Sequence, residues 1–153
     1  MSIERSFYMK RKRHLFVSNN KVKCYINLLS LPPGYDSIEE LSCKPVVYQI
    51  ITKANKIYIG STCDFGERMD THSKNARDKE TEMYADMRCY GEYDVDIIAV
   101  CNSLEDAKTK EKRVIENYKS NIPKKLLGKS RFLYSKQELN KVIETKLYNI
   151  KNN

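Results

Sequence analysis

Histidine and cysteine are scarce and scattered in this chain. There are two histidines, His14 and His72, and five cysteines, Cys24, Cys43, Cys63, Cys89 and Cys101. No two cysteines form a C-x-x-C pair, so a zinc site of ordinary ligand spacing is not expected. An odd, dispersed set also argues against a disulfide framework, and the cysteines read as reduced and structural. No apolar run approaches the roughly 18 residues of a membrane-spanning helix, so no membrane is expected among the partners. The N-terminus leads to Lys10-Arg11-Lys12-Arg13 and not to the apolar core of a signal peptide. An intracellular location, cytoplasmic or nuclear, is therefore expected. No internal repeat and no low-complexity linker occurs.

Positive charge is present in excess, +8 over 153 residues, and its distribution is uneven. Residues 1–44 carry eight basic and four acidic side chains, residues 45–121 twelve and fourteen, and residues 122–153 eight and two. The excess thus lies entirely in the flanks. Lysine and arginine that neutralise phosphates supply most non-specific nucleic-acid affinity. Lys10, Arg11, Lys12, Arg13, Lys124, Lys125, Lys129 and Arg131 are accordingly the candidate nucleic-acid grip, against the plainer reading of solubilising ends. Three segments follow: a basic extension over 1–44, a central domain over 45–125 and a basic helical tail over 126–153.

Leu15-Phe16-Val17 and the alternating Val22, Cys24, Ile26 and Leu28 flank Ser18-Asn19-Asn20, a hairpin pattern. Pro32-Pro33-Gly34 breaks regular structure, and Ser37–Leu41 reads as a helical turn. Residues 46–51 and 56–60 are β-branched and aromatic, as strands are. If 53–55 is a three-residue loop, Tyr48 faces Gly60 and Ile50 faces Tyr58, and both phenols share one face; a two-residue loop would split them. Asp64 caps a helix over 65–77 that places Arg68 and His72 on one side. A helix over 81–90, with Met83, Met87 and Tyr90 in one stripe, ends at Gly91. A third strand runs from Tyr93 to Val100, with Val95, Ile97 and Ala99 alternating against Asp94, Asp96 and Ile98. Ser103 and Asp106 cap a helix over 104–119. Ser135-Lys136-Gln137-Glu138 opens a basic helix over 136–149.

Periodicity isolates one residue on the long helix. Leu104, Ala107, Val114, Ile115 and Tyr118 form an apolar stripe, and Glu111 stands in its middle. A carboxylate there is unfavourable unless it is paired or holds a cation. A structural ion pair with Arg68 is the plain alternative.

The ordered set Tyr48, Tyr58-Ile59-Gly60, Arg68, His72, Glu111 and Asn121, with Asn117 nearby, resembles the GIY-YIG nuclease family over about residues 45–125. Val46-Val47 stand where that family has Gly-Ile. The resemblance implies an α+β domain, a small three-stranded mixed or antiparallel sheet flanked by helices. It implies hydrolysis of DNA phosphodiester bonds by an endonuclease with Mg²⁺ (or Mn²⁺) on Glu111. Tyr48 would be the general base, Tyr58 would orient the water or Tyr48, His72 would orient Tyr58 or shuttle a proton, and Arg68 would hold the phosphate. The family includes homing, restriction and repair enzymes, and a phage, viral or mobile-element origin is compatible with it. The alternative is an inactive nucleic-acid-binding module that keeps the fold. One active site per chain implies nicking, or a dimer for double-strand cleavage. All of this requires the acid, the two phenols and the guanidinium to converge.

Overall fold

The computed structural model describes residues 12–17, 22–120 and 132–134. Its centre is the hairpin of β3 (Val46–Thr52) and β4 (Lys56–Thr62). The turn between them has the three residues that the tyrosine face requires. Asn55 takes a positive φ of 61°, which asparagine tolerates, and Asn55 N–H donates to Thr52 O at 2.9 Å. The register pairs Tyr48 with Gly60 and Ile50 with Tyr58. Both phenols therefore stand on one face.

The sheet is larger than the three strands expected. Its order is β1-β2-β5-β3-β4-β6, where β1 is Arg13–Val17, β2 Lys23–Asn27, β5 Glu92–Val100 and β6 Phe132–Tyr134. β1 and β2 are antiparallel, and β2 runs parallel to β5, which makes the sheet mixed. The added strands follow from the alternation at Val22, Cys24 and Ile26, all buried in the cluster that holds Tyr48, Val95 and Phe65. The 3₁₀ turn Ile38–Leu41 adds Ile38 and Leu41 to the same cluster. Val22, Cys24, Ile26, Ile38 and Leu41 are thus part of the central core.

Among the described residues three α-helices cover the sheet. α1 (Phe65–Asn75) starts at Asp64, whose side chain accepts from Glu67 N–H. α2 (Glu82–Tyr90) is capped by Thr81 and ends at Gly91 with a φ of 72°, a left-handed cap that glycine adopts readily. Both place apolar residues, among them Met69, Met83 and Met87, in the tyrosine-bearing core. α3 (Leu104–Ser120) packs on the other face, where Val47, Ile57, Ile59 and Ala107 form a second cluster with Val114, Ile115 and Tyr118. The expected simple alternation along β5 does not hold. A bulge shifts the register between Val47–Ala99 and Tyr48–Ile97. Val95 and Ile97 join the first core, while Ile98 and Ala99 both pack against the second. One inserted residue reverses the facing of everything beyond it. The basic helix expected over 136–149 lies outside the described residues.

Candidate active site

Tyr48 is fully buried in the first core. Its ring meets Phe65 and His72 edge-on, at centroid separations of 6.1 and 5.9 Å. Gly60 lies opposite in the register, and a Cβ there would come within 2.5 Å of Tyr48 Cζ. The missing side chain is what lets the phenol lie across β4. Tyr48 Oη hydrogen-bonds His72 Nε2 at 2.9 Å. His72 Nδ1 in turn hydrogen-bonds Tyr84 Oη at 2.9 Å, and Asn75 Nδ2 donates to the same hydroxyl at 3.3 Å. Tyr58 is half-buried and stands edge-on to His72, with centroids 5.8 Å apart. Both ring nitrogens of His72 are engaged by Tyr48 and Tyr84, and Tyr58 meets the ring through its edge.

Arg68 occupies the same side of α1 as His72 and is exposed. Its charge reaches inward. Burial pushes the Tyr48 phenol well above its ordinary value and Tyr58 adds to the rise; Arg68 opposes it, and Glu111 and Tyr84 raise it further. Burial outweighs the guanidinium, so the phenol stays protonated at neutral pH. His72 is brought down to about 4, by burial first and by Arg68 second. The imidazole is therefore neutral.

Glu111 arrives from the opposite layer of the sheet. On β4, Tyr58 and Gly60 face the first core while Ile57, Ile59 and Ser61 face α3. Ser61 Oγ donates to Glu111 Oε2 at 2.8 Å. The carboxylate is half-buried and anchored one residue from the glycine that Tyr48 crosses. Its charge adds to the rise of the Tyr48 phenol, although the two side chains belong to different faces of the sheet. Among the described residues no group of three or more His, Cys, Asp or Glu gathers. A single carboxylate beside a hydroxyl suits a hard ion that keeps its waters and shares a substrate's phosphate oxygens, and it does not suit zinc.

The remaining candidates divide. Lys12 is exposed. Arg13 is engaged within the fold: its Nε donates to Asp94 at 2.7 Å, it pairs with Glu92 at 3.4 Å, and it stacks over Tyr25. Asn121, Lys10, Arg11, Lys124, Lys125, Lys129 and Arg131 lie outside the described residues. Two site residues were not singled out from the sequence. Tyr84 carries no signal of its own in the sequence, because nothing local ties a residue on α2 to His72. Ser61 was legible in principle, since alternation from Ile57 and Ile59 turns it toward the helix that carries Glu111.

A small α+β domain with paired phenols, a neutral buried imidazole, an exposed guanidinium and an anchored carboxylate is a nuclease-type domain. The model of the GIY-YIG catalytic domain matches residues 44–126, more than half of the chain, and the chain belongs to the GIY-YIG family. Nuclease-type function and a nucleic-acid substrate follow from that membership. Comparison with curated proteins and with solved structures gave no match. No described helix is long and apolar enough to cross a membrane.

Proposed function

We propose that the chain is a metal-dependent endonuclease that hydrolyses DNA phosphodiester bonds. The observation that supports this reading is the buried Tyr48–His72 hydrogen bond with the exposed Arg68 on the same side of α1, and the Glu111 carboxylate held by Ser61, the residue after Gly60. Arg68 offers a planar fork of donors to the scissile phosphate. Tyr48, protonated at rest, takes a proton from the attacking water as it passes its own to His72 Nε2, and Tyr58 orients that water. His72, neutral and hydrogen-bonded, fixes the direction of Tyr48. Glu111 would hold a divalent ion, Mg²⁺ or Mn²⁺, which when bound supplies positive charge against the phosphate and the departing oxygen. Ser61 holds one carboxylate oxygen, so that Glu111 presents a fixed orientation. DNA affinity beyond the site falls to the basic flanks, with Arg13 serving the fold instead.

The test is incubation of the purified chain with supercoiled plasmid, in Mg²⁺ and in EDTA. Glu111→Gln and Tyr58→Phe are assayed beside the wild type. Nicking or linearisation that needs Mg²⁺, and that both variants lose while keeping DNA affinity, is expected. Binding without cleavage by the wild type would favour the inactive binding module. Unchanged cleavage by Glu111→Gln would remove the carboxylate from the mechanism.

A further inference from the structure

Tyr84 is the residue of the tyrosine–histidine cluster that the hydrolytic reading leaves without a task. It comes from α2, separate from the elements that carry Tyr48 and His72. Its Oη nevertheless completes a continuous chain: Tyr48 Oη to His72 Nε2 at 2.9 Å, His72 Nδ1 to Tyr84 Oη at 2.9 Å, and Asn75 Nδ2 to Tyr84 Oη at 3.3 Å. The chain starts at a fully buried phenol and ends at a half-buried one. Asn75 donates to Tyr84, so Tyr84 Oη is an acceptor there. If it also accepts from His72 Nδ1–H, its own O–H has no acceptor left within the chain and can turn to solvent.

We propose that Tyr84 is the outlet of a proton relay, through which the proton that Tyr48 takes from the attacking water leaves the buried site. The inference rests on the hydrolytic reading above. The transfers balance. As water gives a proton to Tyr48 Oη, the Tyr48 proton passes to His72 Nε2. The His72 Nδ1 proton passes to Tyr84 Oη, and the Tyr84 proton passes to bulk water. Hydroxide remains to attack phosphorus, the P–O bond to the departing oxygen breaks, and that oxygen takes up a proton from solvent. No link in the chain retains a charge.

Two further facts require an outlet of this kind. His72 is buried beside Arg68, and a second proton on its ring would place two cations together in a poorly solvated site. Tyr48 is buried too deeply to persist as a phenolate. A base of this sort works by exchange, accepting one proton only as it releases another. Tyr84 acts through His72 and does not touch the reacting atoms, so it is a positioning and relay residue.

Tyr84→Phe keeps the ring that packs on His72, at a centroid separation of 5.9 Å, and removes only the hydroxyl. Under single-turnover conditions its cleavage rate should fall by about tenfold or more, within the range of general acid–base contributions, with DNA affinity unchanged. Rates in mixtures of H₂O and D₂O should bend with deuterium fraction in the wild type, as several protons in flight require, and flatten toward a straight line in the variant. A purely structural role for Tyr84 would leave that curvature in place. A Tyr84→Phe rate within twofold of a cleaving wild type overturns the relay and leaves the nuclease reading standing. A wild type that does not cleave overturns both. Nitrogen-15 shifts of His72 in the wild type give a readout independent of turnover. A neutral ring with both nitrogens hydrogen-bonded is expected, and an unbonded Nδ1 overturns the proposal.

Discussion

Substituting Gly60 by alanine adds a single methyl group at the place where the strand and the buried phenol touch. The new Cβ would fall inside the contact shell of Tyr48 Oη, 2.5 Å from Cζ and 3.1 Å from Cε1. Carbon atoms rest at about 3.5–4.0 Å, so relief requires a displacement of roughly 1 Å. The ring cannot swing freely, because Phe65 and His72 flank it and no face is exposed. Overpacking of this kind costs about 1–3 kcal/mol. Drawing Oη away from His72 Nε2 adds the penalty of an unmade buried hydrogen bond, about 1–3 kcal/mol. Gly60→Ala should therefore lose about 2–6 kcal/mol in urea unfolding. Misplacement of Tyr48 by about 1 Å should also slow cleavage by about a hundredfold.

The control is another glycine. Gly66 lies in the first turn of α1, and a Cβ there meets Phe16 Cζ at 3.8 Å and Asp64 Oδ1 at 3.9 Å, ordinary contacts. Gly66→Ala should stabilise the protein by about 0.5 kcal/mol, through the smaller backbone entropy lost on folding. The same chemical change thus has opposite signs at the two positions. A Gly60→Ala protein within about 0.5 kcal/mol of the wild type, with its cleavage rate intact, would refute the packing of Tyr48 against β4.

Three other outcomes are expected. Ser61→Ala removes the donor to Glu111 Oε2; it should raise the Mg²⁺ concentration for half-maximal cleavage by about tenfold, read by titration on plasmid, while Ser61→Thr keeps the wild-type value. Asp94 is buried between Arg13 and Lys53, at 2.7 and 3.2 Å; because both cations are about one-third exposed, Asp94→Asn should lose only about 1–3 kcal/mol in urea unfolding, and a smaller change would show that the N-terminal hairpin does not depend on this cluster. His72 titrates near 4 when folded and 6.5 when unfolded, so the unfolded chain takes up a proton that the folded one refuses: stability should fall by up to about 3 kcal/mol as pH drops from 6.5 toward 4, and urea midpoints of His72→Gln should lack that part of the slope.

Local rules reached most of the central domain. The Asp64 cap, the stop at Gly91 and the stripe of Ala107, Val114, Ile115 and Tyr118 on α3 are decided by near neighbours in the chain and are observed; the loop at 53–55, left open between two and three residues, has three. The N-terminal hairpin was legible as a hairpin and is observed as β1 and β2, but its place in the sheet was not, because strand pairing is a long-range choice: the alternation at Val22, Cys24 and Ile26 says that a strand exists and not that it lies beside β5. The bulge near Ile97 was hidden for a related reason. Val95, Ile97, Ile98 and Ala99 are all apolar, so nothing in the residues marks where the facing reverses. Tyr84 went unassigned because its partner is on another helix, and hydrogen bonds between helices leave no periodicity.

The position of Glu111 has the widest consequence. An acid in the apolar stripe of α3 was expected to look into the pocket of the two phenols. Instead it approaches from the far layer and is held by Ser61, while Tyr48 crosses the neighbouring Gly60 from the near layer. The site is therefore assembled at one short stretch of β4, with Tyr58 and Gly60 serving one face and Ser61 the other. A strand delivers alternate residues to opposite sides within about 3.3 Å of rise, so consecutive positions can address two layers at once. This makes the geometry sensitive to both cores. Shrinking Ile57 or Ile59 would move α3 and the carboxylate and leave the phenols in place, whereas shrinking Met69 would move His72 and leave Glu111. A defect in Mg²⁺ response without a defect in the solvent-deuterium curve, and the reverse, are the signatures that separate the two layers.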